Sequence, residues 1–342
     1  MEPYTLGLFA NMYPSYDGDM NGIFIQRMVR KLEGRGVVIK KAVKQSTSVL
    51  GYLPFYLRSA ALCGDKSLDI LQAHYIPHSS IVPALLKNNR PLVLKFHGDD
   101  GRIYPYRNFL NRKIIQASLG RADHVITASE EIRSGLISLG AARDRITAIS
   151  SGVDTSEYIP ADRDQSRGIL RLPTDGTLIC LYVGRIHPWK GIREMIDAAR
   201  NHREILFLFI GPGAVPGHPE NCRFTGNLPH EEIRTWITAA DICLLPSYTE
   251  GISNFIMESL SCGVPVIASD AGGNPELVRN QETGLLVPVK DSDALAAAIS
   301  WMGSHESERK EMGRKGRADM VLRYHDDLLI GKLIGIHRSL IG

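Results

Sequence analysis

The chain has 342 residues, 44% hydrophobic and 23% charged, which is the make-up of an ordinary globular protein too long for a single core, so two domains are expected. Its five cysteines, at 63, 180, 222, 243 and 262, are scattered without any Cys-x-x-Cys, which argues against a zinc ribbon or a disulfide framework and for a reducing compartment. No apolar run approaches a membrane span and the first ten residues are too short and weakly flanked for a signal peptide, so a cytoplasmic protein is expected.

In chain order, TLGLFANMYP reads as a buried strand ending at a turn. The loop PSYDGDMNG follows, then a helix with Ile23, Ile25, Met28, Val29 and Leu32 at helical spacing, stopped by Gly34 and Gly36. Gly22 stands where a strand-end loop enters a helix, so its backbone can approach a phosphate. After the strand VVIKKAV, residues 46–62 mix large apolar side chains with few charges. That stretch suits a core helix pair broken at Pro54, a membrane-surface contact or an acceptor groove. LDILQAHYI, SSIVPALLKN and PLVLKFHGDD alternate strand, helix and strand. His74 and His78 lie at the end of one strand and His97 at the end of the next. Open α/β sheets keep ligand-facing groups at such carboxyl ends, and His97, followed by Gly98 and Asp99, is singled out. No carboxylate pattern beside these histidines suggests a metal. A helix from Arg107 to Leu119, the strand ADHVITAS, the helix EEIRSGLISLG and the strand in DRITAISSGVD complete the first half. Residues 155–174, polar and aperiodic, with Pro160 and Pro173, read as a linker.

The second half repeats the α/β pattern: strand TLICLYVGR, loop IHPWKG, helix IREMIDAAR, strand EILFLFIGPG. Arg185 and Lys190 occupy the first of these loops, ahead of a helix start that favours anions. GPGAVPG imitates a dinucleotide turn, but its prolines and the lack of an immediate helix rule it out. CRFTGNL and PHEEIRTWITAAD give a strand, a loop and a helix, and the loop residues Asn227 and Leu228 are candidates for backbone contact with a base. The chain is organised around DICLLPSYTEGISNFIMESLSCGVPVIASDAGGNPE, from Asp241 to Glu276. There a strand, a glycine turn and a helix N-terminus occur twice, with Glu250 and Glu258 flanking the first turn. Helix N-termini accept phosphate, whereas carboxylates accept hydrogen bonds from hydroxyls. Together they suit a nucleotide joined to a sugar. LVRNQETGLLVPVKD reads as hairpin-like, and the tail from 307 onward as helical throughout, with a last helix apolar enough to pack onto another domain.

Charge is unevenly spread. Residues 1–160 hold 20 Lys and Arg against 14 Asp and Glu, and residues 161–342 hold 20 against 23. A basic first half suits an acidic acceptor or anionic lipid as well as a plain solvated surface. Nucleic acid is not an expected partner, because no basic cluster is interleaved with aromatics.

Six pieces, YPSYDGDMNGIFIQRMVRKLEGRG, FHGDD, SSGVD, YVGRIHPWKG, FTGNLPHEEI and EGISNFIMESLSCGVPVIASDAGGNPELV, occur in an order that resembles glycosyltransferase family 4, retaining enzymes of the GT-B fold. Glu250 and Glu258 match that family's pair of glutamates separated by seven residues. The resemblance implies an α/β fold of two Rossmann-like domains facing across a cleft: an acceptor domain of residues 1–160 joined by a last helix of about 325–342, and a donor domain of residues 161–324. It also implies roles. Arg185 and Lys190 would hold a donor diphosphate approached by Gly22, Glu258 the ribose, and Glu250 the donor sugar. Gly251, Ile252, Ser253 and Asn254 would offer backbone N–H groups, and His97 would approach the reacting centre. One departure is the first loop, where Asp17, Asp19 and Asn21 surround Gly18 and Gly22 in place of adjacent glycines. Those carboxylates also suit a metal, but the basic pair makes one unnecessary, and neither a metal nor a cofactor is expected.

The expected function is therefore retaining transfer of a sugar from a nucleotide-diphosphate donor to a glycan or lipid-linked acceptor, in cell-envelope or exopolysaccharide synthesis. Peripheral contact with the inner face of the membrane is a candidate addition. The rival readings are a nucleotide-sugar epimerase, which needs no acceptor, and a non-catalytic sugar-nucleotide-binding subunit. A dehydrogenase lacks its G-x-G-x-x-G turn.

Overall fold

The computed structural model describes residues 3–14, 22–45 and 48–342. Asp17, Gly18, Asp19 and Asn21 of the first loop, and Ser46 and Thr47 at the start of the apolar stretch, lie outside the described residues. The chain divides into two compact units, Met1–Ser151 with Asp327–Gly342, and Gly152–Asp326.

The first unit is a parallel sheet of six strands: β1 (Thr5–Ala10), β2 (Val38–Val43), β3 (Ile70–His74), β4 (Leu92–Phe96), β5 (His124–Thr127) and β6 (Ile146–Ala148). They run in the order β2-β1-β3-β4-β5-β6. The inner strands β3 and β4 are buried at every residue, as expected where helices cover both faces. β2 is an edge strand and carries the exposed Lys40 and Lys41, which discourage pairing with another chain. The helix Ile23–Glu33 buries Ile25, Met28, Val29 and Leu32, four of the five positions expected from spacing. Leu329, Ile330, Leu333 and Ile334 of the last helix, Asp326–Ile341, join the same core. That helix belongs to this unit although it lies at the far end of the chain.

The second unit is a parallel sheet of β7 (Ile179–Val183), β8 (Leu206–Ile210), β9 (Cys222–Gly226), β10 (Ile242–Leu245), β11 (Val266–Ser269) and β12 (Gly284–Val287). Their order is β12-β11-β10-β7-β8-β9. Each sheet reverses direction of growth once, between β1 and β3 in the first and between β7 and β10 in the second. At such a reversal the two flanking loops splay apart at the carboxyl ends of the strands and leave a crevice.

Five local readings need correction. Residues 155–174 are not a bare linker: Arg163–Leu170 form a helix capped by Asp162, whose carboxylate accepts from Gln165 N at 2.7 Å. LVRNQETGLLVPVKD is not a hairpin, because β12 pairs parallel with β11. Pro54 does not break the apolar stretch. It lies in the first turn of the helix Tyr52–Cys63, where its missing N–H costs nothing. The tail is interrupted at His325, whose extended backbone (ψ 124°) separates the helical stretch ending at Tyr324 from Asp326–Ile341. The helix expected from Arg107 begins at Phe109, because the Asn108 side chain caps it by accepting from Asn111 N at 2.8 Å.

Candidate active site

In the second unit the reversal point lies between β7 and β10, and the two loops that leave those strands carry the candidate residues. After β7, Gly184 N donates to Ile210 O at 2.8 Å and Ile186 N to Pro212 O at 2.9 Å, so the turn stays tied to the β8 side. The buried Tyr182, its phenol pushed up by burial, donates to Arg185 O at 2.8 Å and leaves the Arg185 side chain exposed. A short turn, Pro188–Lys190, follows, and Gly191 (φ 69°) starts the helix Ile192–Asn201. At Gly191 a Cβ would stand 2.1 Å from Pro246 O, so only glycine lets the two loops meet backbone to backbone. Tyr248 N donates to Trp189 O at 2.8 Å and makes a second tie.

That contact places Lys190 against Glu250, with Nζ and Oε1 2.5 Å apart, the carboxylate 11% and the ammonium 32% exposed. Glu250 is held from behind. Its carbonyl accepts from Gly273 N at 3.2 Å, and a Cβ on Gly273 would stand 2.1 Å from Gly251 O. Tyr248, pushed up to about 12 by burial and then by its neighbour, donates to Glu194 Oε1 at 2.7 Å and steadies the same loop. Ser253 caps the helix Asn254–Ser261 by accepting from Ile256 N at 3.3 Å. Gly251, Ile252 and Asn254 lead into that helix, half-buried, and Glu258 sits one turn inside it, 8% exposed. The structure thus brings Arg185, Lys190, Glu250 and the 251–254 turn to the ends of two adjacent strands. Asn227 and Leu228 stand apart from them, at the end of the edge strand β9. Asn227 is exposed there, and Leu228 packs on the core.

In the first unit Gly22 (φ 74°) starts the helix Ile23–Glu33, and a Cβ there would stand 2.6 Å from Met12 O. It therefore lies against the chain leaving β1, beside that sheet's reversal point. His97, after β4, packs among Phe24, Tyr75 and His74, with ring centroids 4.7, 4.9 and 5.2 Å away. Burial, then His74, then Lys95 hold its imidazole well below the usual histidine range, so it is neutral. Asp100 fixes its loop: Oδ1 accepts from His97 N at 2.9 Å and Gly98 N at 2.8 Å, and Oδ2 from Ile76 N at 3.3 Å. Burial nevertheless pushes that carboxyl up to about 6. His78 points elsewhere, to the Tyr56 hydroxyl at 3.0 Å, and so does not share a site with His74 and His97.

Several members of these sites were missed from sequence. Tyr182, Tyr248 and Asp100 act by pinning loop backbone, and the visible sign of Asp100 was only the second aspartate of HGDD. Gln72 and His337, which continue inward from His74, gave no sign at all, because their partners are remote in the chain.

Residues 25–157 match the model "Glycosyltransferase Family 4" and residues 162–319 the model "Glycosyl transferases group 1". Over 237 residues, 68% of the chain, it is 29% identical to the putative teichuronic acid biosynthesis glycosyltransferase TuaC of Bacillus subtilis. Over 242 residues, 64% of the chain, it is 31% identical to a D-inositol 3-phosphate glycosyltransferase of Acidothermus cellulolyticus. These matches span 60% and 53% of the two relatives' lengths. Sucrose-phosphate synthase of Thermosynechococcus elongatus aligns with a TM-score of 0.84 at 21% identity, covering 99% of each chain. HepE of Anabaena, solved with UDP-glucose, aligns with a TM-score of 0.77 at 20% identity, covering 98% of this chain and 99% of its own. At such identities these two likenesses speak for the fold, which is GT-B. Two family models in tandem, laid over two reversed parallel sheets with the basic loop and both glutamates in place, make the chain a member of glycosyltransferase family 4.

Proposed function

We propose that the chain transfers a sugar from a nucleotide-diphosphate sugar to an acceptor hydroxyl, with retention at the anomeric carbon. The observation that carries this reading is the Lys190–Glu250 pair at the reversal point of the second sheet. An ammonium has three N–H donors, so Lys190 can keep Glu250 and still reach diphosphate oxygens beside the exposed Arg185. In the transfer the C1–O bond to the diphosphate breaks and its electron pair goes to the phosphate oxygen, where the two cations stabilise it. The acceptor oxygen then bonds to C1 on the same face and gives its proton to the departing phosphate oxygen. Glu250 holds donor-sugar hydroxyls, the turn at Gly251, Ile252, Ser253 and Asn254 offers backbone N–H groups, and Asn227 and Leu228 border the base. This chemistry needs no metal and no cofactor beyond the nucleotide-sugar itself.

Glu258 is the proposed ribose ligand. Glu258→Ala is expected to weaken donor binding about tenfold, the cost of a charged acceptor lost from two hydroxyls, with turnover at saturation little changed. Calorimetric titration reads this, and an undiminished affinity would remove the ribose assignment.

TuaC, named for teichuronic acid biosynthesis, supports an envelope or exopolysaccharide glycan, free or lipid-linked, as the acceptor. Contact with the inner face of the membrane is part of the same reading. Val49, Leu50, Leu53 and Leu57 are 65–85% exposed and recur along one face of the segment leading into and through the helix Tyr52–Cys63, beside the exposed Arg58. An apolar stripe with a basic neighbour suits an anionic bilayer surface. The paired change Leu53→Glu/Leu57→Glu is expected to abolish flotation with anionic vesicles without moving the melting temperature, and full retention of flotation would refute the contact.

The function as a whole is tested by thermal stabilisation with UDP-, GDP- and ADP-sugars, since a ligand that binds only the folded protein raises its melting point by mass action. Stabilisation by one nucleotide series, followed by release of that nucleoside diphosphate with acceptor present, is expected. Indifference to all three would end the proposal.

A further inference from the structure

Behind His97 the first unit contains a continuous line of buried polar groups. Tyr4 Oη lies 2.7 Å from His337 Nδ1, and His337 Nε2 lies 2.6 Å from Gln72 Oε1. Gln72 Nε2 lies 2.7 Å from His74 Nε2, and His74 Nδ1 lies 3.0 Å from His97 Nε2. Gln72, His74 and His337 are all fully buried. The line begins at Tyr4, just before β1, passes through the last helix and β3, and ends at the loop after β4.

We propose that Gln72, His74 and His337 are positioning residues that fix His97 as its Nδ1–H tautomer, so that its outer ring edge is a hydrogen-bond donor. The polarity follows atom by atom. A neutral imidazole has one N–H and one lone pair, and an amide has one end that only accepts and one that only donates. Gln72 Oε1 can only accept, so His337 carries its proton on Nε2 and presents a lone pair at Nδ1 to the Tyr4 hydroxyl. Gln72 Nε2 can only donate, so His74 presents a lone pair at Nε2 and carries its proton on Nδ1. That proton faces His97 Nε2, which leaves the His97 proton on Nδ1.

Two observations support this direction over its reverse. Gln72 Nε2 also lies 3.9 Å from Met28 Sδ, a thioether that can accept but never donate. In the reverse direction the buried Tyr4 oxygen would accept from His337, and its own hydrogen would lose its partner, a cost the observed direction avoids. Every histidine in the line is neutral, as the reasoning requires. Burial, then Lys95, then neighbouring imidazoles hold His74 well below the usual range and His337 down to about 3. Lys95, itself buried and pulled down to about 8, lies close enough to disfavour a further positive charge on any of the three rings.

The consequence rests on the transferase reading above. A neutral N–H at the edge of His97 can donate to a hydroxyl oxygen of the bound sugar and cannot take a proton there. His97 in this tautomer is therefore an orienting donor and not a base, and the last helix sets that role through His337.

Nitrogen-15 spectra of the full chain with labelled histidine rings test the proposal, His97 being assigned by its loss in His97→Asn. At pH 7.5 we expect His97 and His74 protonated on Nδ1 alone and His337 on Nε2 alone. His97 protonated on Nε2, or present as a tautomer mixture, would overturn the inference. Gln72→Met, close in shape and unable to donate to His74, is expected to mix the His97 tautomers. It should also lower kcat about fivefold, the factor one neutral hydrogen bond carries, with donor KM held within about twofold. A mixed His97 with unchanged kcat would overturn its link to transfer, and an unmixed His97 would overturn the role of Gln72. If Gln72→Met does not fold, Tyr4→Phe removes the hydroxyl that orients His337, and the same mixing is expected, an unchanged spectrum counting against the line. The spectra require no substrate. The expected tautomers in a wild-type protein that transfers nothing would sink the transferase reading alone.

Discussion

Lys190→Ala is expected to lower turnover about 10²–10³-fold while leaving the melting temperature nearly unchanged, the magnitude of removing one preorganised charge from a developing anion. Lys190 lies on the short turn Pro188–Lys190 and pairs with Glu250, its ammonium a third exposed. With its ammonium a third exposed, the pair is partly screened by water and contributes about 1 kcal/mol, so the fold loses little. The conformation of the turn comes from Gly191 and from the tie between Trp189 and Tyr248, neither of which needs the lysine side chain. A second effect must be separated, because Glu250 is nearly buried and loses its counter-charge in the variant. The double variant Lys190→Ala/Glu250→Gln removes that charge as well. If the lysine stabilises the leaving diphosphate, the double variant stays as slow as the single one. If the defect lies only in a stranded carboxylate, turnover recovers. Steady-state rates with a nucleotide-sugar and its acceptor, alongside a thermal melt, decide it, and wild-type turnover in the single variant would remove the diphosphate assignment.

Asp241→Ala is expected to destabilise the second unit by about 3–5 kcal/mol, because it leaves a buried guanidinium without its counter-ion. Asp241 immediately precedes β10. Its carboxylate accepts from Arg167 Nη2 at 2.5 Å, Arg163 Nη1 at 2.8 Å and Ile179 N at 2.8 Å. The Arg167 side chain is 1% exposed and spends its other donors on Ala239 O, Pro173 O and Thr177 O. The network joins the amino ends of β7 and β10, the opposite ends from those bearing Lys190 and Glu250. Donor affinity of the folded fraction should therefore survive. Urea denaturation measures the loss, and a change under about 1 kcal/mol would show that the buried charge is solvated in some other way.

These two sites differ in how far they were legible. Lys190 and Glu250 announce themselves, because the chemistry is written in local order: a strand, a short loop with two cations, a helix start, and later a strand, an acidic turn and a helix. Asp241 reads in sequence as the polar end of a helix, and nothing near it shows that Arg167, 74 residues earlier, will meet it. The same holds for Tyr4 and His337, separated by 333 residues. The hairpin expected over residues 277–291, which hold β12, failed for a related reason. A short apolar run bounded by turn residues fits either an antiparallel or a parallel strand, and its partner is chosen by the surface left open beside β11.

By itself the sequence determined the alternation of strands and helices, the buried face of the helix Ile23–Glu33, the loops that hold Arg185, Lys190 and Glu250, and the family. Those properties depend on periodicity, capping and turn chemistry, which act over a few residues. Tertiary structure alone decided the strand orders that put two loops at each reversal point, and the polar line that orients His97. Each of these depends on which apolar faces and buried polar atoms find partners far along the chain, and that choice is made by packing and by the cost of leaving a buried group unpaired.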